Sequence, residues 1–129
     1  MGNKGIKKIL IVEDDEALVN SYAEALESGG YNAIKALDGY QGLDTLSKNL
    51  GDIDLVLLDL MMPGVDGLEV LRTIKDNKEG YGDVPIIVLT NMTSENVIHE
   101  AFSLGATSYL VKTDLDYEGL IKEVSKFLG

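Results

Sequence analysis

Four stretches of the sequence end an apolar run on a side chain able to do chemistry. "ILIVEDDE" carries Ile9 to Val12 into Glu13, Asp14 and Asp15, and "LVLLDLMMPGVDG" carries Leu55 to Leu58 into Asp59. "IIVLT" ends on Thr90, and "YLVK" ends on Lys112. Carboxylates held close together repel one another, and either a shared proton or a bound hard cation must offset the repulsion. In a cluster open to water Mg²⁺ suits best, because it takes oxygen ligands and keeps several of its own waters. A lysine supplies a second positive charge and a threonine a hydroxyl. Together these groups form a set for phosphoryl transfer, where in-line displacement asks mainly for positioning and charge neutralisation. An aspartate is ionised at neutral pH, so Asp59 can serve as the nucleophile without a general base. The apolar Leu60-Met61-Met62 that follows leaves a backbone carbonyl free to reach an ion while limiting competing polar groups.

Such a set works only if the fold gathers it. The chain alternates strand and helix signals five times. "KKILIV" (Lys7–Val12), "NAIKAL", "DLVLL", "IIVL" after Pro85, and "SYLV" are short, apolar and β-branched, hence strands. Glu16–Ser28 has helical apolar spacing and is stopped by Gly29-Gly30. Asp38 with Gln41 predicts a capping box for a second helix that turns Leu43, Leu46 and Leu50 inward. Asp66 with Glu69 predicts another, with Val65 and Val70 as its hydrophobic staple. Ser94–Leu104, stopped by Gly105, and Tyr117–Leu128 complete the helices. Strands apolar on both faces need cover on both sides, which makes this an α/β fold with a parallel five-stranded sheet between helical layers. The expected strand order is the flavodoxin-like 2-1-3-4-5. A sheet of that order binds ligands beyond the carboxyl ends of its strands, where the order reverses between strands 1 and 3. Glu13, Asp14, Asp59, Thr90 and Lys112 all follow strands at that end.

Composition narrows the possibilities. A length of 129 residues suits one domain, expected over 1–129 with its core at about 7–128. The absence of cysteine excludes thiolate metal sites, disulfides and a cysteine nucleophile. A net charge of −11 repels nucleic acid backbones. No apolar run is long enough for a membrane helix, and the start flows into a strand without a signal-peptide pattern, so a cytoplasmic protein is expected. Met1-Gly2 resembles the start of a myristoylation signal, but Ile6 stands where that signal wants Ser or Thr. There is no GxxxxGK[ST] loop, so phosphate has to come from a partner rather than from a bound nucleotide.

The four stretches, in this order and spacing, resemble the receiver domain of two-component response regulators, which are CheY-like, and the resemblance covers about Lys7 to Leu128. It implies a phosphorelay role, with Asp59 accepting phosphate from a histidine kinase or a phosphotransfer protein. It implies Mg²⁺ held by Asp14, Asp59 and the backbone carbonyl of Met61, with Glu13 acting through a bound water. Thr90 would hydrogen-bond the phosphoryl group, Lys112 would pair with it, and Tyr109 would be the rotamer switch. The face built by the fourth helix, fifth strand and fifth helix would bind a downstream protein or output domain, in a monomer or a phosphorylation-dependent dimer. The chain would be a signalling phospho-acceptor rather than an enzyme, catalysing at most its own phosphorylation and dephosphorylation.

Two departures from the family pattern stand out. Thr113 follows Lys112 where the family usually has a proline after a cis bond; a cis bond to a non-proline residue costs about 2.5–4 kcal/mol, so a trans bond and a shifted loop are expected. Asn91 and Met92 follow Thr90 where a small residue is common, and with Met61 they flank the pocket as modulators of access. Within the triple acid, Glu13-Asp14 is taken as the site pair, leaving Asp15 to cap the helix.

Plainer roles suit other residues. Asp15, Asp38 and Asp66 read as helix caps, His99 as a solvent-facing residue of its helix, and Met61-Met62 as packing. Tyr109 on an edge strand is equally well read as packing. Among rivals, an FMN-binding flavodoxin would find "EDDEAL" repelling its phosphate, and a phosphatase of the haloacid dehalogenase type wants a second aspartate where Met61 stands. A catalytically silent receiver-like scaffold is the closest alternative, but it would normally lack one of the acids or the lysine.

Overall fold

A computed structural model describes residues 5–62, 64 and 66–128. Its five strands are β1 (Lys8–Val12), β2 (Asn32–Ala36), β3 (Leu55–Leu58), β4 (Ile86–Thr90) and β5 (Ser108–Val111). Five longer helices are α1 (Glu16–Ser28), α2 (Gly39–Lys48), α3 (Gly67–Asp76), α4 (Glu95–Ser103) and α5 (Tyr117–Leu128). A one-turn helix at Lys78–Tyr81 and a 3₁₀ turn at Lys112–Asp114 were not expected from the sequence. All strand pairs are parallel and the order is β2-β1-β3-β4-β5, as anticipated.

The period of two along the inner strands sorts their side chains into two cores. Leu10, Val12, Val56, Leu58, Ile86 and Val88 face Leu46 of α2, Val70, Leu71 and Ile74 of α3, and Ala101 of α4. Ile9, Ile11, Leu55, Leu57, Ile87 and Leu89 face Val19, Tyr22 and Leu26 of α1, and Leu120 and Val124 of α5. The inner strands covered in this way, β1, β3 and β4, have polar side chains only at their ends, which is where the chemistry-bearing residues stand.

The caps differ in detail from expectation. Asp38 Oδ1 accepts from the Gln41 N–H at 2.8 Å, but the Gln41 side chain accepts from Leu37 N–H rather than from that of Asp38. Asp66 Oδ1 accepts from Leu68 N–H, one residue earlier than a capping box requires. Leu50 does not turn inward: α2 ends at Lys48 with Asn49 as its C-cap, and Leu50 beyond it is 49 % exposed. The stop after α4 is as read, with Gly105 at φ +105°, a conformation that favours glycine. Val65 of the expected staple, Pro63, and Met1-Gly2 lie outside the described residues.

Candidate functional site

β1 and β3 are adjacent, and their last ladder pair is Val12↔Leu58. The next residue on each strand is therefore placed side by side, and these are Glu13 and Asp59. Backbone bonds extend the sheet by one step, from Asp59 N–H to Val12 C=O and from Glu13 N–H to Ala36 C=O, each 3.0 Å. Both acids are thus held by sheet backbone, and both are buried, Glu13 at 3 % and Asp59 at 5 % exposure. Asp14 is exposed beside them. One carboxylate oxygen from each of Glu13, Asp14 and Asp59 lies within 4.8 Å of the others. Asp15 turns away from this trio in role, as the N-cap of α1, accepting from Leu18 N–H at 3.2 Å.

From the other side of the sheet end comes Lys112. Its ammonium lies 2.5 Å from Glu13 Oε1 and 3.3 Å from Asp59 Oδ2, with only 13 % of the side chain exposed. Burial pushes the Glu13 carboxyl above its ordinary range, a rise opposed by its bonds from Lys112 and the Asp15 N–H and reinforced by the charge of Asp59. For Lys112 burial works downward, but the bond to Glu13 and the charges of Asp59 and Glu13 outweigh it, and its pKa is raised. The ammonium therefore stays charged at neutral pH, and one cation stands beside three clustered carboxyl groups. That imbalance, in a cavity of about 250 Å³ lined also by Asp14, Met61, Thr90 and Asn91, fits a divalent cation with oxygen ligands.

Thr90 is fully buried at the end of β4, and its Oγ1 accepts from Met92 N–H at 3.5 Å, the outer limit of a hydrogen bond. Tyr109 is half-buried on β5 and donates its hydroxyl to the Met92 carbonyl at 2.8 Å, with its ring 6.4 Å from that of Phe102. Burial raises the Tyr109 pKa, so the hydroxyl keeps its proton and stays a donor. The bond after Lys112 is trans, since no cis peptide occurs among the described residues, and Thr113 N–H donates to Asn91 Oδ1 at 3.0 Å. Of the methionine pair, Met62 is core but Met61 is 61 % exposed at the cavity mouth, against its reading as packing. His99 is exposed, as expected.

Gly67, the first residue of α3, was not singled out from the sequence. A Cβ there would lie 2.4 Å from Leu60 Cα and 2.6 Å from the Asp59 carbonyl oxygen. Its own N–H donates to Leu60 C=O at 3.1 Å. The absent side chain lets α3 pack against the backbone that carries Asp59. Only its place in "DG", at the start of an expected helix, hinted at this.

Known proteins resemble this chain in sequence and fold. The response regulator receiver domain family matches residues 9–125. The chain is 40 % identical over 113 residues to the transcriptional regulatory protein CpxR of Escherichia coli, covering 88 % of this chain and 46 % of that one. It is 32 % identical over 122 residues to the CAI-1 autoinducer sensor kinase/phosphatase CqsS of Vibrio cholerae, covering 95 % of this chain and 17 % of that one. Among solved structures, Vibrio cholerae chemotaxis protein CheY4 superposes with a TM-score of 0.85 at 29 % identity, covering 95 % of this chain and 98 % of that one. The chain thus spans less than half the length of these two curated relatives.

Proposed function

Because the chain belongs to the response regulator receiver domain family, we propose that Asp59 accepts a phosphoryl group from a phosphohistidine on a histidine kinase or phosphotransfer protein. The convergence of Glu13, Asp14 and Asp59 on one point, faced by Lys112, carries this reading. An Asp59 carboxylate oxygen forms the new P–O bond as the P–N bond breaks, and the electron pair returns to the imidazole, which takes a proton. Asp59 is already aimed, because its backbone is fixed to β1 and its Oδ1 is oriented by Met61 N–H at 3.2 Å. Glu13, Asp14, Asp59 and the Met61 carbonyl would hold Mg²⁺, which supplies charge neutralisation for the transferring group. Lys112 exchanges its pairing with Asp59 for the incoming phosphoryl oxygens while keeping Glu13.

The modified Asp59 carries added charge and acceptor oxygens beside the Thr90 hydroxyl, which draws the Thr90–Met92 segment inward. Tyr109 already holds the Met92 carbonyl, so that movement reaches β5 and the α4–β5–α5 face directly. That face is where a downstream protein or an attached output domain would read the state. The reading places the chain in the cytoplasm, beside kinases that carry their catalytic parts there; among the described residues no helix is long and apolar enough to cross a membrane.

Incubation with acetyl phosphate and Mg²⁺ tests the assignment. The wild type is expected to gain one hydroxylamine-sensitive phosphoryl group by intact mass, and Asp59→Asn none. Labelling of the variant to the wild-type extent would overturn Asp59 as the sole acceptor.

A further inference from the structure

We propose that Asn91 is a positioning residue of the phosphoryl site, setting the spacing between Thr90 and Lys112 by gripping the N–H of Thr113. The β4–β5 ladder ends at the pair Thr90↔Val111. Beyond it the two chains separate, Asn91 leaving toward α4 and Lys112 entering the 3₁₀ turn that closes at Asp114. Nothing in the sheet itself then fixes how far apart the two exit loops stand. The Asn91 side chain closes that gap, because its Oδ1 accepts from Thr113 N–H at 3.0 Å across 22 residues of sequence. The bond joins the immediate chain neighbours of two cavity-lining groups, Thr90 and Lys112.

Both ends of this tie are conditional on residue type. A proline at 113 would have no N–H to give. At 91, an alanine has no acceptor, and an aspartate keeps the acceptor but adds a negative charge to a cavity already lined by Glu13, Asp14 and Asp59. The neutral amide is the side chain of this length that grips without adding to the repulsion. A second bond from β5, Tyr109 O–H to the Met92 carbonyl, reaches the residue after Asn91. The two ties hold the segment after Thr90 at successive residues, one through a side-chain acceptor and one through a backbone acceptor. Inward movement of Thr90 therefore draws on the Lys112 loop through Asn91 and on Tyr109 through Met92.

The role rests on the reading of Asp59 as phospho-acceptor, and the test separates the two. In Asn91→Ala the Thr113 amide should lose its hydrogen-exchange protection, while Asn91→Asp should keep it. With Mg²⁺ present, beryllofluoride, which mimics a phosphoryl group on a carboxylate, should bind Asn91→Ala about five-fold more weakly than wild type, the worth of one neutral hydrogen bond. Mg²⁺ alone should bind both equally, because Glu13, Asp14 and Asp59 follow β1 and β3 rather than β4 and β5, whose exits the tie joins. Unchanged Thr113 exchange in Asn91→Ala, unchanged beryllofluoride affinity, or a parallel loss of Mg²⁺ affinity would each overturn the role of Asn91. A wild type that takes up no beryllofluoride overturns the reading of Asp59 and the role of Asn91 with it. Binding by the wild type with an indifferent Asn91→Ala removes the role alone.

Discussion

β1 and β3 have a bonded neighbour on each side, and their residues Ile9 to Val12 and Leu55 to Leu58 are at most 2 % exposed. β5 has one neighbour, and all four of its residues are half-buried. The inner strands lead into Glu13 and Asp59, and the edge strand carries Tyr109 and leads into Lys112. Strands buried on two faces and paired on two edges hold the two acids that follow them, each buried and bonded once to sheet backbone, which suits a nucleophile that must be aimed before its partner arrives. Fewer restraints on β5 leave Tyr109 and Lys112, the groups proposed to answer a phosphoryl group, at the less enclosed edge of the sheet. Elements that move are generally drawn from less protected parts of a fold. On the proposed reading, the division means that one site is assembled from a fixed half and a responsive half.

The fixed half should break hardest. Gly67→Ala puts a methyl group against two backbone atoms, Leu60 Cα and the Asp59 carbonyl oxygen, neither of which can rotate aside. The expected cost is about 3 kcal/mol by urea denaturation, with phosphorylation by acetyl phosphate lost as Asp59 is displaced. Gly29→Ala is the control. Its Cβ would meet the flexible end of Ile121 at 2.8 Å, between α1 and α5, and should cost about 1 kcal/mol or less. Equal costs for the two glycines would deny that the Asp59 backbone is specially constrained.

Lys112→Ala tests the junction between the halves. Removing the ammonium leaves Glu13 and Asp59 buried without their cation. A sealed pair broken in this way costs about 3–5 kcal/mol, and the open cavity should reduce that to about 2 kcal/mol at neutral pH. Addition of Mg²⁺ should recover part of the loss, and metal affinity should be kept while phosphorylation no longer shifts the amide signals of α4 and β5. An unaltered response of those signals would remove Lys112 from the switch. Tyr109→Phe should be milder, losing one bond to the Met92 carbonyl and about 1 kcal/mol. Its beryllofluoride affinity should stay near wild type while the amide shifts of α4 shrink; full-sized shifts would leave Tyr109 as packing.

The fixed half was also the more legible in sequence. Asp59 and Glu13 stand out because each interrupts an apolar run, and a strand buried on both faces dictates where its next residue goes. Thr90 and Lys112 were legible because each closes an apolar run at the same end of the sheet. The responsive half hides in tertiary detail. Asn91 could be flagged as unusual beside Thr90, but its donor partner, the Thr113 N–H, lies 22 residues away in a 3₁₀ turn with no local pattern. Gly67 reads as an ordinary residue at a helix start until α3 is seen against Leu60. Leu50 misled because its spacing continues the apolar stripe of α2 past the point where Asn49 ends the helix. Periodicity fixes a face only while the helix lasts.

The smallest effect lies on the edge strand itself. Ser108 Oγ donates to the Glu123 carboxylate of α5 at 2.6 Å, and Lys126 Nζ approaches its other oxygen at 3.0 Å. The Ser108 bond first, and then Lys126, hold the Glu123 carboxyl below its ordinary value of 4.5. A carboxyl lowered on folding adds stability above its unfolded pKa, and that contribution is lost as pH falls through the folded pKa. Ser108→Ala removes the larger cause, so it should cost about 0.5 kcal/mol at pH 7, and the difference from wild type should fade as acid protonates Glu123. Parallel pH profiles for the two proteins would mean that Ser108 favours no charged form of Glu123. Because β5 is tied to α5 here and to the Thr90 loop through Tyr109, loosening the first tie should leave beryllofluoride binding intact, with the acids held by β1 and β3. A weakened affinity would show that the two halves are not mechanically separate, and that the edge strand helps to aim the nucleophile as well as to report on it.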